Sequence, residues 1–97
     1  MPYIKQRKRD RYETAIRMLI DDLLMFPDGL DGNLNYIIST LLYRIWYDNQ
    51  SYEKGNKLIG VLECAKLEFY RRVIAEYETK KTEENGDVFT PPKGDQS

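Results

Sequence analysis

Apolar residues recur with helical spacing in three segments of the chain. In the first segment they share one face of a helical wheel, and Asp10, Arg17 and Asp21 lie opposite. The second segment has a leucine-rich face, and the third runs from about Tyr52 to Glu84. The pattern predicts an all-α fold, a three-helix arrangement with a long third helix. The apolar faces are Tyr12, Ala15, Ile16, Leu19, Ile20 and Leu23, then Leu34, Ile37, Ile38, Leu41, Leu42 and Ile45.

Turn and capping residues set the expected ends of these helices. Pro27 disfavours helical geometry at the residue before it, so the first helix should end there. The stretch "PDGLDGN" is rich in turn residues and offers Asp31 or Asn33 as the N-cap of the second helix. The stretch "DNQS" interrupts the pattern and offers Ser51 as the N-cap of the third. That helix should stop at "NG", since Gly86 suits a C-terminal cap.

The predicted third helix is long for a compact domain of 97 residues. About 33 residues of α-helix span about 50 Å, whereas a compact chain of this size has a radius of gyration near 13 Å. We therefore expect this helix to bend at Gly55 or Gly60, or to pack against another chain. We expect a single helical domain over residues 1–89 and a disordered, polar, proline-containing tail over residues 90–97.

A second apolar face on the second helix points to self-association. Tyr36, Tyr43 and Tyr47 follow helical spacing on the side opposite the leucine-rich face. A helix that is apolar on both sides is usually covered on both sides. Partly exposed tyrosines are the plainer explanation, but three in register favour an interface, where tyrosine is enriched. The sequence therefore predicts a homo-oligomer with these tyrosines at its interface.

Two charged residues fall on the side of the third segment that looks apolar. Glu63 and Lys66 are i, i+3 neighbours and can pair. We favour a structural ion pair with the lysine stem lying along apolar surface. The functional alternative is a site between helices for an anionic or hydrogen-bonding ligand. Its residues would be Glu63, Lys66, Tyr70, Arg71 and Tyr52.

A basic run near the N-terminus resembles a nucleic-acid-binding arm. It consists of Lys5, Arg7, Lys8, Arg9 and Arg11. Such a short run, interrupted by an acidic residue and leading into a helix, is more often a solvated helix face. The whole chain has 15 basic and 16 acidic residues and a net charge of −1, which excludes a strongly basic polynucleotide coat.

Composition narrows the available chemistry. The chain has no histidine, the commonest acid–base group near neutral pH and the commonest metal ligand. Its single Cys64 cannot form an internal disulfide, which favours a reducing compartment, and it lacks a histidine that would activate it as a nucleophile. We therefore predict a non-enzymatic protein without metal or cofactor. No apolar run reaches the roughly 18 residues of a membrane span, and no signal-peptide pattern opens the chain, so we expect a cytoplasmic protein.

Four segments resemble a family of small uncharacterised proteins of tailed bacteriophages and prophages. They are "PYIKQ", "GNLNYIIS", "SYEKGNKLIGVLECAKLEFYRRVIAEYE" and "ENGDVF", and the resemblance covers about residues 2–89. It implies a phage or bacterial cytoplasmic origin and a small helical fold in which "PYI" and "DVF" are fixed parts of the domain. It transfers no catalytic residue.

In that setting we expect an accessory protein that binds a protein or a small anionic ligand at a subunit interface. Counteracting host defence is a role suggested only by analogy with other phage proteins. The alternative is an accessory nucleic-acid-binding protein that uses the basic run. An enzyme built on Glu63 and its neighbouring tyrosines is the least favoured interpretation.

Overall fold

The computed structural model describes residues 2–92, in which all regular structure is helical and no strand occurs. The all-α prediction is confirmed, as is the long third helix, which continues from Tyr52 to Asn85 through a π-helical turn. The elements are α1 (Gln6–Met25), a 3₁₀ turn (Pro27–Gly29), α2 (Leu30–Asp48), α3 (Tyr52–Phe69), the π-helical turn (Tyr70–Ile74) and α4 (Ala75–Asn85). Residues 93–97 of the predicted tail lie outside the described residues.

Contacts divide the described chain into two units, one within residues 2–62 and the other within residues 63–92. In the first unit, α1 and α2 contact each other across the short connection at Phe26–Gly29. We call this pair the α1–α2 hairpin. In the second unit, the π-helical turn leads directly into α4.

The connection between α1 and α2 differs in part from the prediction. α1 ends at Met25 as expected, because Phe26 leaves helical geometry with φ −121° and ψ 70°. The predicted N-caps of α2, Asp31 and Asn33, are wrong. Pro27 opens a 3₁₀ turn that continues straight into α2, so both residues lie inside its first turns.

Ser51 fixes the corner between α2 and α3. Its Oγ accepts a hydrogen bond from the backbone N–H of Lys54 at 3.1 Å, which confirms the predicted N-cap. Its carbonyl oxygen accepts two more, from the Gly55 N–H at 3.1 Å and from Trp46 Nε1 at 3.0 Å. Lys54 Nζ lies 3.9 Å from Asp48 Oδ2 at the end of α2. One residue thus ties the last turn of α2 to the first turn of α3.

Gly86 ends α4 as predicted. Its φ of +85° is a backbone conformation that glycine adopts without steric cost, and its N–H donates to the Thr82 carbonyl at 2.8 Å. The chain then turns, and Asp87 Oδ1 accepts a hydrogen bond from the Phe89 N–H at 2.8 Å. This side-chain bond fixes the turn that follows the helix.

The irregular turn of the long helical stretch lies at Tyr70–Ile74, while Gly55 and Gly60 both lie inside regular α3. The Ala75 N–H donates to the Tyr70 carbonyl, the i→i+5 bond of a π-helix. Such a turn holds one residue more than an α-turn, so side chains eight positions apart come to one side. Tyr70 Oη accordingly donates to Glu78 Oε1 at 3.4 Å.

The predicted core faces are only partly covered. No described residue is buried. On the leucine-rich face of α2, Ile37, Ile38 and Leu42 are half-buried, but Leu41 remains 54% exposed and Ile45 48%. The leucine-rich face of α2 is therefore shielded only in part, and the rest of it remains in water.

Among the described residues, no helix is both long enough and apolar enough to cross a bilayer.

Replacing Ser51 by alanine should lower the free energy of unfolding by about 1 kcal/mol, because the Lys54 N–H loses its side-chain acceptor. Ser51→Gly should cost only a few tenths of a kcal/mol. Ser39→Ala is the matched control, since the Ser39 hydroxyl bonds only the Asn35 side chain within α2. Chemical denaturation checks all three variants, and equal effects of Ser51→Ala and Ser39→Ala would contradict the capping role.

Candidate functional site

Three aromatic side chains cluster near the C-terminal end of α2. The ring of Tyr43 lies 5.8 Å from that of Tyr47 and 6.4 Å from that of Trp46, measured between centroids, with tilted planes. These separations are within the range of favourable aromatic pairs. Tyr43 and Tyr47 are each 59% exposed, so the cluster presents ring surface to solvent.

Tyr43 and Trp46 of this cluster form one wall of an apolar groove between α2 and α3, which we call the Trp46 groove. Its volume is about 490 Å³, and it is open to solvent. Gly55 leaves room beside the indole, since a Cβ built there would lie 3.6 Å from Trp46 Nε1. The large residues that line it are Leu42, Tyr43, Trp46, Tyr52, Leu58 and Ile59.

The chemistry of the Trp46 groove suits binding by burial of apolar surface. The described side chains that line it include no Asp, Glu, Lys or Arg, and its polar side chains are Ser51, Asn56 and the tyrosine hydroxyls. The indole N–H of Trp46 is already bonded to the Ser51 carbonyl, which fixes the orientation of the ring. Such a surface offers flat aromatic contacts to an apolar or aromatic group.

Helical spacing assigned Tyr43 and Tyr52 to separate roles and assigned none to Trp46. The structure places both tyrosines with Trp46 along one groove. A usable signal was present in the sequence. The only tryptophan lies between two tyrosines, five residues before a serine that suits an N-cap. A large ring so close to a tight helix–helix corner is well placed to pack against the next helix.

The predicted interface tyrosines are all exposed, but they do not form one cluster. Tyr36 is 63% exposed and lies in a separate shallow hollow with Leu19 and Arg44. Tyr43 and Tyr47 contact each other beside the Trp46 groove. The interface itself remains a prediction.

Glu63 and Lys66 form the predicted pair at the surface of the second unit. Lys66 Nζ lies 3.4 Å from Glu63 Oε1, and the two side chains are 69% and 55% exposed. The charges therefore keep much of their hydration and need little compensation from protein groups.

The other predicted ligand-binding residues make separate local contacts. Within the second unit, Arg71 pairs with Glu68, and Tyr70 donates to Glu78 rather than to Glu63. Tyr52 belongs to the first unit, where it is 89% exposed at the edge of the Trp46 groove. A ligand-binding role for this set remains a prediction.

The basic run is distributed around the start of α1. Lys5 and Arg9 are i, i+4 neighbours, whereas Arg7 and Arg11 form a second row on another side of the helix. Arg9 is turned back on its own chain, because its Nε donates to the Ile4 carbonyl at 2.6 Å. Lys8 lies between these two rows, so the five basic residues spread over more than one side of the chain. Nucleic-acid binding through them remains a prediction.

Residues 2–92 contain no group of three His, Cys, Asp or Glu side chains placed to hold one metal ion. Cys64, the single cysteine, is exposed.

The fold and the groove define a small all-α protein with an exposed aromatic groove. The chain belongs to the family described as Domain of unknown function (DUF6899), which matches residues 1–88. No curated protein and no solved structure matches the chain.

Replacing Glu63 or Lys66 singly by alanine should change the free energy of unfolding by less than about 1 kcal/mol, the usual range for exposed pairs. A double-mutant cycle measures the coupling between them. The exposed i, i+3 pair of Lys81 and Glu84, 3.3 Å apart, is the matched control and should give a similar coupling. A single loss of several kcal/mol at Glu63 would show that the pair is buried in the assembled protein.

Nucleic-acid binding through the basic run should be weak and should fall steeply as salt rises, because few phosphate contacts are available. Titration of the protein into labelled duplex DNA and single-stranded RNA at two salt concentrations measures this. Submicromolar binding at physiological salt would contradict the expectation and favour the nucleic-acid alternative. Loss of that binding in the Arg7→Gln, Arg11→Gln variant would place it on the basic run.

Proposed function

We propose that the protein is a non-enzymatic binding protein that acts as a homo-oligomer, assembled through the apolar surface of the α1–α2 hairpin. The supporting observation is that both faces of α2 remain in water. Leu41 and Ile45 on the leucine-rich face are 54% and 48% exposed, and Tyr43 and Tyr47 are each 59% exposed.

The energetic reason is the amount of apolar surface left uncovered. Each Å² of apolar surface removed from water stabilises by about 25 cal/mol. Large contiguous apolar patches on soluble proteins mark interaction sites, and a standard interface covers roughly 800 Å² on each partner. Large apolar and aromatic side chains that are 40% exposed or more lie on both helices of the hairpin and are available to such an interface. Those of α1 are Tyr12, Ile16, Met18, Leu19, Ile20, Leu24 and Met25.

A second copy of the chain is the partner that matches this surface. Two hairpins that pack face to face give each helix an additional neighbour, as in a four-helix bundle. In a two-fold dimer the same patch lies on both sides of the interface, so a surface that is apolar on one copy meets an apolar surface on the other. This arrangement covers the part of α2 that α1 leaves exposed.

The binding surface of the assembled protein would be the Trp46 groove. The sequence led us to expect either a protein or a small anionic ligand. Because its lining side chains carry no formal charge, the groove favours an apolar group of a protein partner. The proposed setting is a cell that carries a tailed phage or a prophage. It is supported by the resemblance of the four quoted segments to a family of phage and prophage proteins. A role against host defence is suggested only by that setting.

Sedimentation at micromolar concentration should show a species larger than the monomer. Changing Tyr43 and Tyr47 together to serine should shift it toward the monomer and leave most of the helical circular dichroism, because the helices retain their caps. Tyr77→Ser is the matched control, since Tyr77 is also 59% exposed but lies on α4. It should leave the assembly intact.

A wild-type protein that sediments as a monomer throughout this range would overturn the proposed assembly. An oligomer that survives the Tyr43→Ser, Tyr47→Ser change would move the interface to the leucine-rich face. Leu41→Ser and Ile45→Ser would then dissociate it.

A further inference from the structure

The turn after α4 presents two apolar side chains to solvent. Val88 is 84% exposed and Phe89 88%. Gly86 ends the helix, and the bond from the Phe89 N–H to Asp87 Oδ1 fixes the turn. We call Val88 and Phe89 the apolar projection. Exposing both on a hydrogen-bonded turn is unfavourable unless another surface covers them.

The Trp46 groove offers the matching surface. Its aromatic wall is held in place by the Trp46–Ser51 bond, and two of its apolar residues stand far into solvent, Tyr52 at 89% exposure and Ile59 at 64%. The groove thus lacks a covering group, as the apolar projection lacks a surface to cover it.

We propose that the apolar projection of one copy docks in the Trp46 groove of a second copy. This inference rests on the proposed homo-oligomer and deepens it, because the protein partner whose apolar group fills the Trp46 groove is then a second copy of the chain. A groove of about 490 Å³ is large enough for a phenylalanine side chain with a valine beside it. A phenylalanine ring buries roughly 150–250 Å² and gains further from tilted contacts with other rings, which Tyr43, Trp46 and Tyr52 provide.

The contact joins the apolar projection of one copy to the Trp46 groove of the other. Because every copy carries both surfaces, two copies can make this contact twice, once in each direction. When two copies exchange their apolar projections, each groove is filled once and no free projection is left to recruit a third copy. Beyond Phe89, the sequence Thr90-Pro91-Pro92 has no regular helix. The prolines lack an N–H and favour extended geometry, so the chain is expected to leave the groove without folding back into a helix.

Trp46 is the single tryptophan of the chain, so its fluorescence reports on the groove directly. At a concentration where the wild type is oligomeric, Phe89→Ser should shift the emission to the red and increase quenching by acrylamide. Phe89→Leu should retain much of the wild-type emission, since leucine can still fill the groove.

Blocking the Trp46 groove should have the same effect on docking as removing the apolar projection. Gly55→Leu places a side chain beside the indole and should also expose the partner's projection. Gly60→Leu is the matched control in the same helix, because a Cβ at Gly60 meets nothing within 4 Å and Gly60 does not line the groove. Protection of the backbone amides of residues 86–90 in hydrogen exchange should fall in Gly55→Leu and remain in Gly60→Leu.

Mixing two variants tests whether the contact is between copies. One chain carries Phe89→Ser and keeps its Trp46 groove. The other carries Gly55→Leu with Trp46→Phe, so it is silent in tryptophan fluorescence but still has Phe89. Mixing should shift the emission of the first chain back to the blue, and a silent chain that also carries Phe89→Ser should not.

Three other results would overturn the inference, and each of them shows which part of it is wrong. If the wild type sediments as an oligomer and Phe89→Ser leaves the emission unchanged, docking is wrong and the proposed assembly stands. If Phe89→Ser exposes Trp46 but mixing restores nothing, the projection docks on its own chain. If the wild type is a monomer in sedimentation, both the assembly and the contact between copies are wrong.

Discussion

A helix that is apolar on two sides cannot be covered by one neighbour. In the α1–α2 hairpin, α1 contacts α2 and leaves its leucine-rich face half exposed, with the aromatic cluster also in water. Packing between two helices shields a single stripe on each. The uncovered stripe on α2 is therefore a consequence of how many apolar residues this helix carries. It is also the observation on which the proposed assembly with a second chain rests.

Local bonds define the helices but do not replace a core. The Ser51 cap, the Gly86 stop and the i→i+5 bond at Tyr70 decide where the helical segments begin, end and change their winding. Each contributes about 1 kcal/mol or less, as do exposed ion pairs such as Glu13 and Arg17. Small domains depend mainly on apolar burial for their net stability. Burial within the described chain is partial, and the proposed assembly would add to it.

Helix ends were predictable where one residue type enforces them, and unpredictable where several signals compete. Pro27, Ser51 and Gly86 act through a fixed ring, a side-chain acceptor and a permitted positive φ, and all three mark helix ends as expected. The start of α2 was missed because Asp and Asn in "PDGLDGN" suit both turns and N-caps. A 3₁₀ turn there continues into α2, so that Gly32 and Asn33 lie inside the helix.

The candidate groove was harder to predict because it depends on a tertiary corner. Helical spacing assigns Tyr43 and Tyr47 to one face of α2, but it does not show that Trp46 meets Ser51 and the first turn of α3. That contact requires the direction of the chain after Asp48. Direction at a short interhelical turn is set by the caps and by the packing of large side chains together, and sequence spacing describes neither.

The placement of charge on the long helical stretch has a related cause. A regular helical wheel puts Lys66 in the middle of an apolar stripe that also holds Val73 and Tyr77. The π-helical turn at Tyr70–Ile74 holds one extra residue. Each residue after it therefore lies, around the helix axis, about where the preceding residue would lie in a regular α-helix. Glu63 and Lys66 then pair in solvent, and they incur no burial cost because no core forms at that position. The extra residue of the π-helical turn could not be predicted from the sequence, because the apolar residues before it and after it each keep helical spacing.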